Sequence, residues 1–109
     1  MFRMYSMVLI LLLSGVANAV EIQSSGTINR LLNYEGHNGH LIVLSDMSPT
    51  SGSCPRNDYY ILPLTHKYID QNYALLLSAV MAGKPVSVTV DSGDCFENIP
   101  RIKHLLIDN

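Results

Sequence analysis

The chain has 109 residues, a formal net charge of −2 and 15% charged residues, a size that suits one domain with a modest core. This balance excludes the basic surface that phosphate recognition needs, so nucleic acid is not an expected partner.

The opening segment, "MFRMYSMVLILLLSGVANA", carries Arg3, then an apolar run from Met7 to Leu13, then Ala17-Asn18-Ala19. Small residues at that cut site predict a signal peptide over residues 1–19, cleaved after Ala19. The uncharged stretch from Met4 to Val20 is shorter than the about 20 residues of a spanning helix. No membrane span is therefore expected after cleavage. Residues 20–109 read as a single domain, secreted or periplasmic, and the loss of Arg3 makes that domain more acidic.

"GTINRLLNYE" (Gly26 to Glu35) reads as the first strand, with Ile28, Leu32 and Tyr34 on one face and Leu31 on the other. Asn38-Gly39 within "GHNGH" supports a tight turn. "HLIVLSD" (His40 to Asp46) is apolar on both faces, as in a strand inside a sheet. A long polar loop, "MSPTSGSCPRN", leads into "DYYILPL", a third strand that Pro63 ends or pushes to an edge.

The helix comes next. Tyr73, Leu76, Leu77, Val80 and Met81 fall at i, i+3, i+4, i+7 and i+8, one helical face and the expected core stripe. Gly83 is placed to cap it and Pro85 to stop it. "PVSVTVD" then alternates, with Val86, Val88 and Val90 inward. "SGDCFENIP" is a second polar loop, and "RIKHLLID" is the fifth strand.

The predicted class is mainly β with one helix, in the order β-β-β-α-β-β. That is the order of a five-stranded OB-fold-like barrel, in which the helix covers one end. An open sheet with a helix across one face is the competitor. The barrel is preferred because it covers the edges of a short chain.

Cys54 and Cys95 allow one intramolecular pairing, and export favours its oxidation. They lack the close spacing and extra ligands of a metal site. The predicted bridge closes a loop that should contribute about 4 kcal/mol in the chain-entropy model.

From Gln71 to Gly83 there is no Asp, Glu, Lys or Arg. Ala74, Ser78 and Ala82 lie opposite the core stripe, and a solvated face usually carries charge. These three residues are the expected subunit interface of a homo-oligomer.

"YALLLSAVMAGKPVSV", together with the element order from Gly26 to Ile107, resembles the OB-fold B subunits of AB-type bacterial toxins, in the pertussis-like and subtilase-cytotoxin-like groups. The resemblance implies a homopentamer with its helices around a pore, glycan binding at the outer surface, and a toxin A subunit as partner. This chain is shorter, has one disulfide, and offers no residue set that maps onto a known sugar site of the family.

No motif places a nucleophile beside a base, so no catalytic residue, cofactor or metal is expected. His37 and His40 flank a turn, and His66 and His104 stand alone. Asp91, Asp94 and Glu97 surround Cys95 with too few oxygen ligands for Ca²⁺. The candidate ligand-binding residues are Ser51, Ser53, Arg56, Asn57, Asp58 and Tyr59, because sugars need an aromatic face beside fixed polar groups. The expected function is a secreted, non-enzymatic, toxin B-subunit-like protein that recognises a cell-surface glycan as an oligomer. The alternative is a periplasmic or secreted inhibitor module that binds a protein.

Overall fold

The computed structural model describes residues 20–107, so the predicted signal peptide lies outside the described residues. The described chain is mainly β with one helix, and its β structure comprises more than the five expected strands.

The first strand starts earlier than its sequence suggests. β1 (Glu21–Gly26) pairs antiparallel along its whole length with β5 (Val86–Asp91), from Glu21↔Asp91 to Gly26↔Val86. β8 (His104–Leu106) lines the other side of β5, giving a sheet of order β1-β5-β8. The chain then turns away. A side chain on Gly26 would collide with Ser45 Oγ, and Ser45 N–H donates to the Thr27 carbonyl at 2.9 Å. A side chain at this position would displace the Ser45 hydroxyl.

Beyond that break, β2 (Ile28–Leu32), β3 (Gly39–Leu44) and β4 (Tyr60–Pro63) form a second antiparallel sheet, with a bulge between Ile28 and Arg30. β6 (Cys95–Phe96) and β7 (Ile99–Pro100) make a two-stranded ribbon where a plain loop was expected.

The closed five-stranded barrel is therefore corrected to open sheets. The first strand is split at Gly26, and its halves serve different sheets. Opposite that split, Pro63 ends β4. The link to the last segment is the parallel bridge Ile61↔Arg101, with Ile102 N–H donating to the Ile61 carbonyl at 2.9 Å.

Ile42, Leu44, Tyr60, Leu62, Leu76, Val86, Val88, Val90, Ile102 and Leu105 fill the main core. The inward alternation of Val86, Val88 and Val90 is present as predicted. Ser87, expected outward, is nearly buried because its hydroxyl meets that of Ser25 at 2.7 Å across the β1–β5 pair. On the far face of β3 and β4, Leu41 and Ile61 pack with Ile99 of the ribbon. This second cluster makes the middle of that sheet apolar on both sides.

The helix α1 spans Ile69–Ala82. Gly83 caps it at φ 67°, and Lys84 N–H closes the end on the Ala79 carbonyl at 3.0 Å. Its rotation differs from the expected stripe. Asn72, Leu76 and Ala79 are buried, with Ile69, Tyr73 and Leu75 packed around them. Leu77 is 43% exposed, Val80 40% and Met81 86%. Asp70 in the first turn is the single charge of α1, so little on the helix itself selects its rotation. Packing against β2 and β8 selects it instead.

Candidate functional site

The loop from Ser51 to Tyr59 follows a single 3₁₀ turn, Ser48–Thr50. Asp46 holds the start of that turn, accepting from Ser48 N–H at 3.0 Å and Ser48 Oγ at 2.6 Å, which lowers its own pKa. The predicted disulfide is present, with Cα atoms 5.9 Å apart, and fixes the loop to the ribbon.

The six candidate residues divide by what they touch. Asn57 folds back on Cys54: its Oδ1 accepts from the Cys54 N–H at 2.9 Å, and its Nδ2 donates to the Cys54 carbonyl at 2.5 Å. Ser53 Oγ accepts from Gly93 N–H at 3.2 Å. Both side chains therefore hold the loop in shape. Ser51 is exposed on the preceding turn, where its N–H donates to Ser48.

Arg56, Asp58 and Tyr59 come together. Arg56 Nη2 donates to Asp58 Oδ2 at 2.9 Å, and the guanidinium carbon lies 5.3 Å from the Tyr59 ring centroid. The Asp58 contact is the main cause that raises the Arg56 pKa, and the reciprocal hydrogen bond lowers that of Asp58. Both side chains stay in water, at 44% and 59% exposure. Tyr60, by contrast, is a core residue whose hydroxyl accepts from Thr50 Oγ1 at 3.1 Å.

The ribbon supplies the platform. Glu97 and Asn98 take φ values of 53° and 72°, the positive-φ pair of a two-residue hairpin turn. Asn98 accepts the Arg56 backbone N–H at 2.8 Å. The Glu97 carboxylate reaches across to the turn after β2, bonding Asn38 and the His37 Nδ1. These bonds, the Asn38 side chain foremost, lower the Glu97 pKa. On that same turn His37 N–H donates to the Tyr34 carbonyl at 3.1 Å, and Tyr34 is 47% exposed. The sequence pattern placed Tyr34 within a long strand, on one face with Ile28 and Leu32. β2 ends at Leu32, and the turn residues Gly36 and Asn38-Gly39 were the local clue that Tyr34 stands outside it.

The histidines do not converge. His40 stacks on Tyr73 of α1 with ring centroids 3.9 Å apart, and its Nδ1 meets Asn33 Oδ1. Burial lowers its pKa. His66 Nε2 faces the Lys103 carbonyl at 3.0 Å, and His104 is exposed on β8. The carboxylates near Cys95 each have a partner: Asp94 on Arg101 at 2.7 Å, and Asp91 on Lys103 at 3.4 Å beside Glu21 at 2.9 Å. Among the described residues no group of three or more His, Cys, Asp or Glu side chains is placed to hold a metal ion.

Ala74, Ser78 and Ala82 are all exposed, and Ser78 Oγ donates to the Ala74 carbonyl at 2.8 Å, within the helix. With Leu77, Val80 and Met81 they form an exposed outer face broader than the sequence pattern indicated, whose single charge is Asp70 in the first turn. Among the described residues no helix is long and apolar enough to cross a membrane. No protein-family model matches this chain, and no curated protein matches it.

Proposed function

We propose that this chain is a secreted, non-enzymatic binding protein that works as an oligomer and recognises a cell-surface glycan, in the manner of toxin B subunits. The observation that carries the reading is the Arg56–Asp58–Tyr59 cluster, with Arg56 and Asp58 exposed and Tyr59 half-buried, on a loop tethered by Cys54–Cys95. An aromatic ring beside fixed donors and acceptors suits a sugar, whose faces are apolar and whose rim is hydroxylated. The disulfide supports export to an oxidising compartment.

The finer architecture belongs to the same reading. An OB-fold-like relation between the two open sheets, which the chain joins through Gly26–Thr27, is what the resemblance implies. The outer face of α1, with Ala74, Ser78 and Ala82 in it and no charge after Asp70, is the subunit interface, and a pentameric ring carrying a toxin A subunit is the assembly that the resemblance implies.

The test is binding of purified exported protein to an array of immobilised glycans, beside an Arg56→Ala/Tyr59→Ala double variant. Glycan binding by the wild type that the double variant loses supports the reading. Wild-type protein that binds no glycan, but captures an exported protein through the same two residues, assigns the inhibitor module instead.

A further inference from the structure

We propose that Asn38-Gly39 is a deamidation site held in check by the Glu97 carboxylate, and that its conversion to an acid unfastens the turn after β2 from the ribbon. The chemistry needs no ligand, only water.

Asn38-Gly39 is the single Asn-Gly pair of the chain. An asparagine side chain is open to attack by the backbone nitrogen of the next residue, and glycine leaves that nitrogen unshielded because it has no Cβ. The Gly39 nitrogen bonds to the Asn38 side-chain carbonyl carbon, and its proton leaves with the amide nitrogen as ammonia. Water then opens the resulting imide to aspartate or isoaspartate, with no oxidation or reduction. Packing rules out a bulkier residue as protection. A Cβ at Gly39 would stand 2.6 Å from the Leu62 carbonyl oxygen, so the approach of β4 imposes the labile pair.

Glu97 holds the pair in its unreacted form. Its Oε2 accepts from Asn38 Nδ2 at 2.7 Å, and the Asn38 backbone nitrogen donates to Oε1 at 3.1 Å and Oε2 at 3.3 Å. The amide that must depart as ammonia is therefore the group that the carboxylate grips. Charge-assisted bonds at both ends of the residue resist the rotation that carries its side-chain carbon to the Gly39 nitrogen. Conversion reverses the sign of the contact. A carboxylate in place of Nδ2 faces the Glu97 carboxylate, and like charges sharing a site oppose each other. His37 Nδ1 bonds Oε1 at 2.9 Å, not the oxygen that the amide grips. The joint that loosens ties residues 59 positions apart, and its neighbour Asn98 carries the Arg56 backbone N–H at 2.8 Å.

Peptide mass spectrometry of protein held at neutral pH follows the mass gain of the amide-to-acid change at Asn38. Denatured, disulfide-reduced chain supplies the unguarded rate. Folded wild type should react at least about tenfold more slowly, the factor set by breaking a hydrogen bond to a charged group. Glu97→Ala, checked for a cooperative unfolding transition, should recover most of that difference. A folded Glu97→Ala variant that reacts no faster than wild type, or a wild type as fast as the denatured chain, overturns the gating. A double-mutant cycle on unfolding midpoints tests the unfastening separately. Asn38→Asp should lower the midpoint of the wild type and change that of Glu97→Gln far less, because the repulsion needs both carboxylates. An equal loss in both backgrounds, which a merely structural role of Asn38 would give, overturns it.

Discussion

Asn38 is held by Glu97 through both its backbone and its side chain: its N–H donates to Glu97 Oε1 at 3.1 Å and its Nδ2 to Oε2 at 2.7 Å. The two residues are 59 positions apart, so this contact joins the turn after β2 to the ribbon beside the disulfide. The Glu97 pKa is lowered in the folded chain. A depressed carboxylate contributes stability that is present above its unfolded pKa, about 4.3, and is lost as pH falls through the folded value. In thermal scans from about pH 6 to pH 3, wild-type protein should lose its advantage over Glu97→Gln on the acidic side. An advantage that did not change with pH would show that the contact has no linkage to protonation.

The disulfide offers a second measurement. Cys54 and Cys95 are 41 positions apart, and freeing that loop should lower stability by about 4 kcal/mol. Chemical denaturation of a Cys54→Ser/Cys95→Ser variant reports the value. A loss near zero would mean that the ribbon and Asn57 hold the loop without the bond.

Leu76 and Met81 lie on opposite sides of α1, one fully buried and one 86% exposed. Leu76→Ala should cost about 2–5 kcal/mol, whereas Met81→Lys should stay within about 0.5 kcal/mol. Equal costs in denaturant melts would reject the rotation of α1 described above.

The oligomer has its own test. Ser78→Arg leaves the core untouched but places an unpaired charge in the proposed interface. Light scattering should find a folded monomer for the variant and a larger species for the wild type. A monomeric wild type at micromolar concentration ends the assembly proposal.

Gly39 opens β3 with no room for a side chain. A Cβ there would stand 2.6 Å from the Leu62 carbonyl oxygen and 2.7 Å from Ile61 Cγ1. Gly39→Ala should destabilise by about 1–3 kcal/mol through overpacking, read as a lower unfolding midpoint. An unchanged midpoint would mean that β4 gives way at little cost.

What the residues determined by themselves was local. Val86, Val88 and Val90 alternate because side chains in a strand alternate sides. Gly83 ends α1 because its left-handed backbone conformation is accessible to glycine without a side-chain clash. Cys54 and Cys95 pair because no other cysteine is present. Each of these features depends on neighbours within a few positions, or on a choice with one outcome.

The tertiary structure decided the rest. The chain divides at Gly26 because β1 pairs with β5 and β2 with β3, partners that lie in different sheets. A helix whose one charge is Asp70 satisfies a hydrophobic pattern at several rotations, so the stacking of Tyr73 on His40 and the packing of Leu76 choose one. "SGDCFENIP" looks polar and unstructured along the chain, yet it becomes a ribbon because Ile99 packs on Leu41 and Ile61. Of the candidate binding residues, Arg56, Asp58 and Tyr59 were recognisable as neighbours in sequence. Their anchoring through Asn98, and the tie from Glu97 to Asn38, depend on residues brought together by folding two sheets and a ribbon, and no local pattern encodes such contacts.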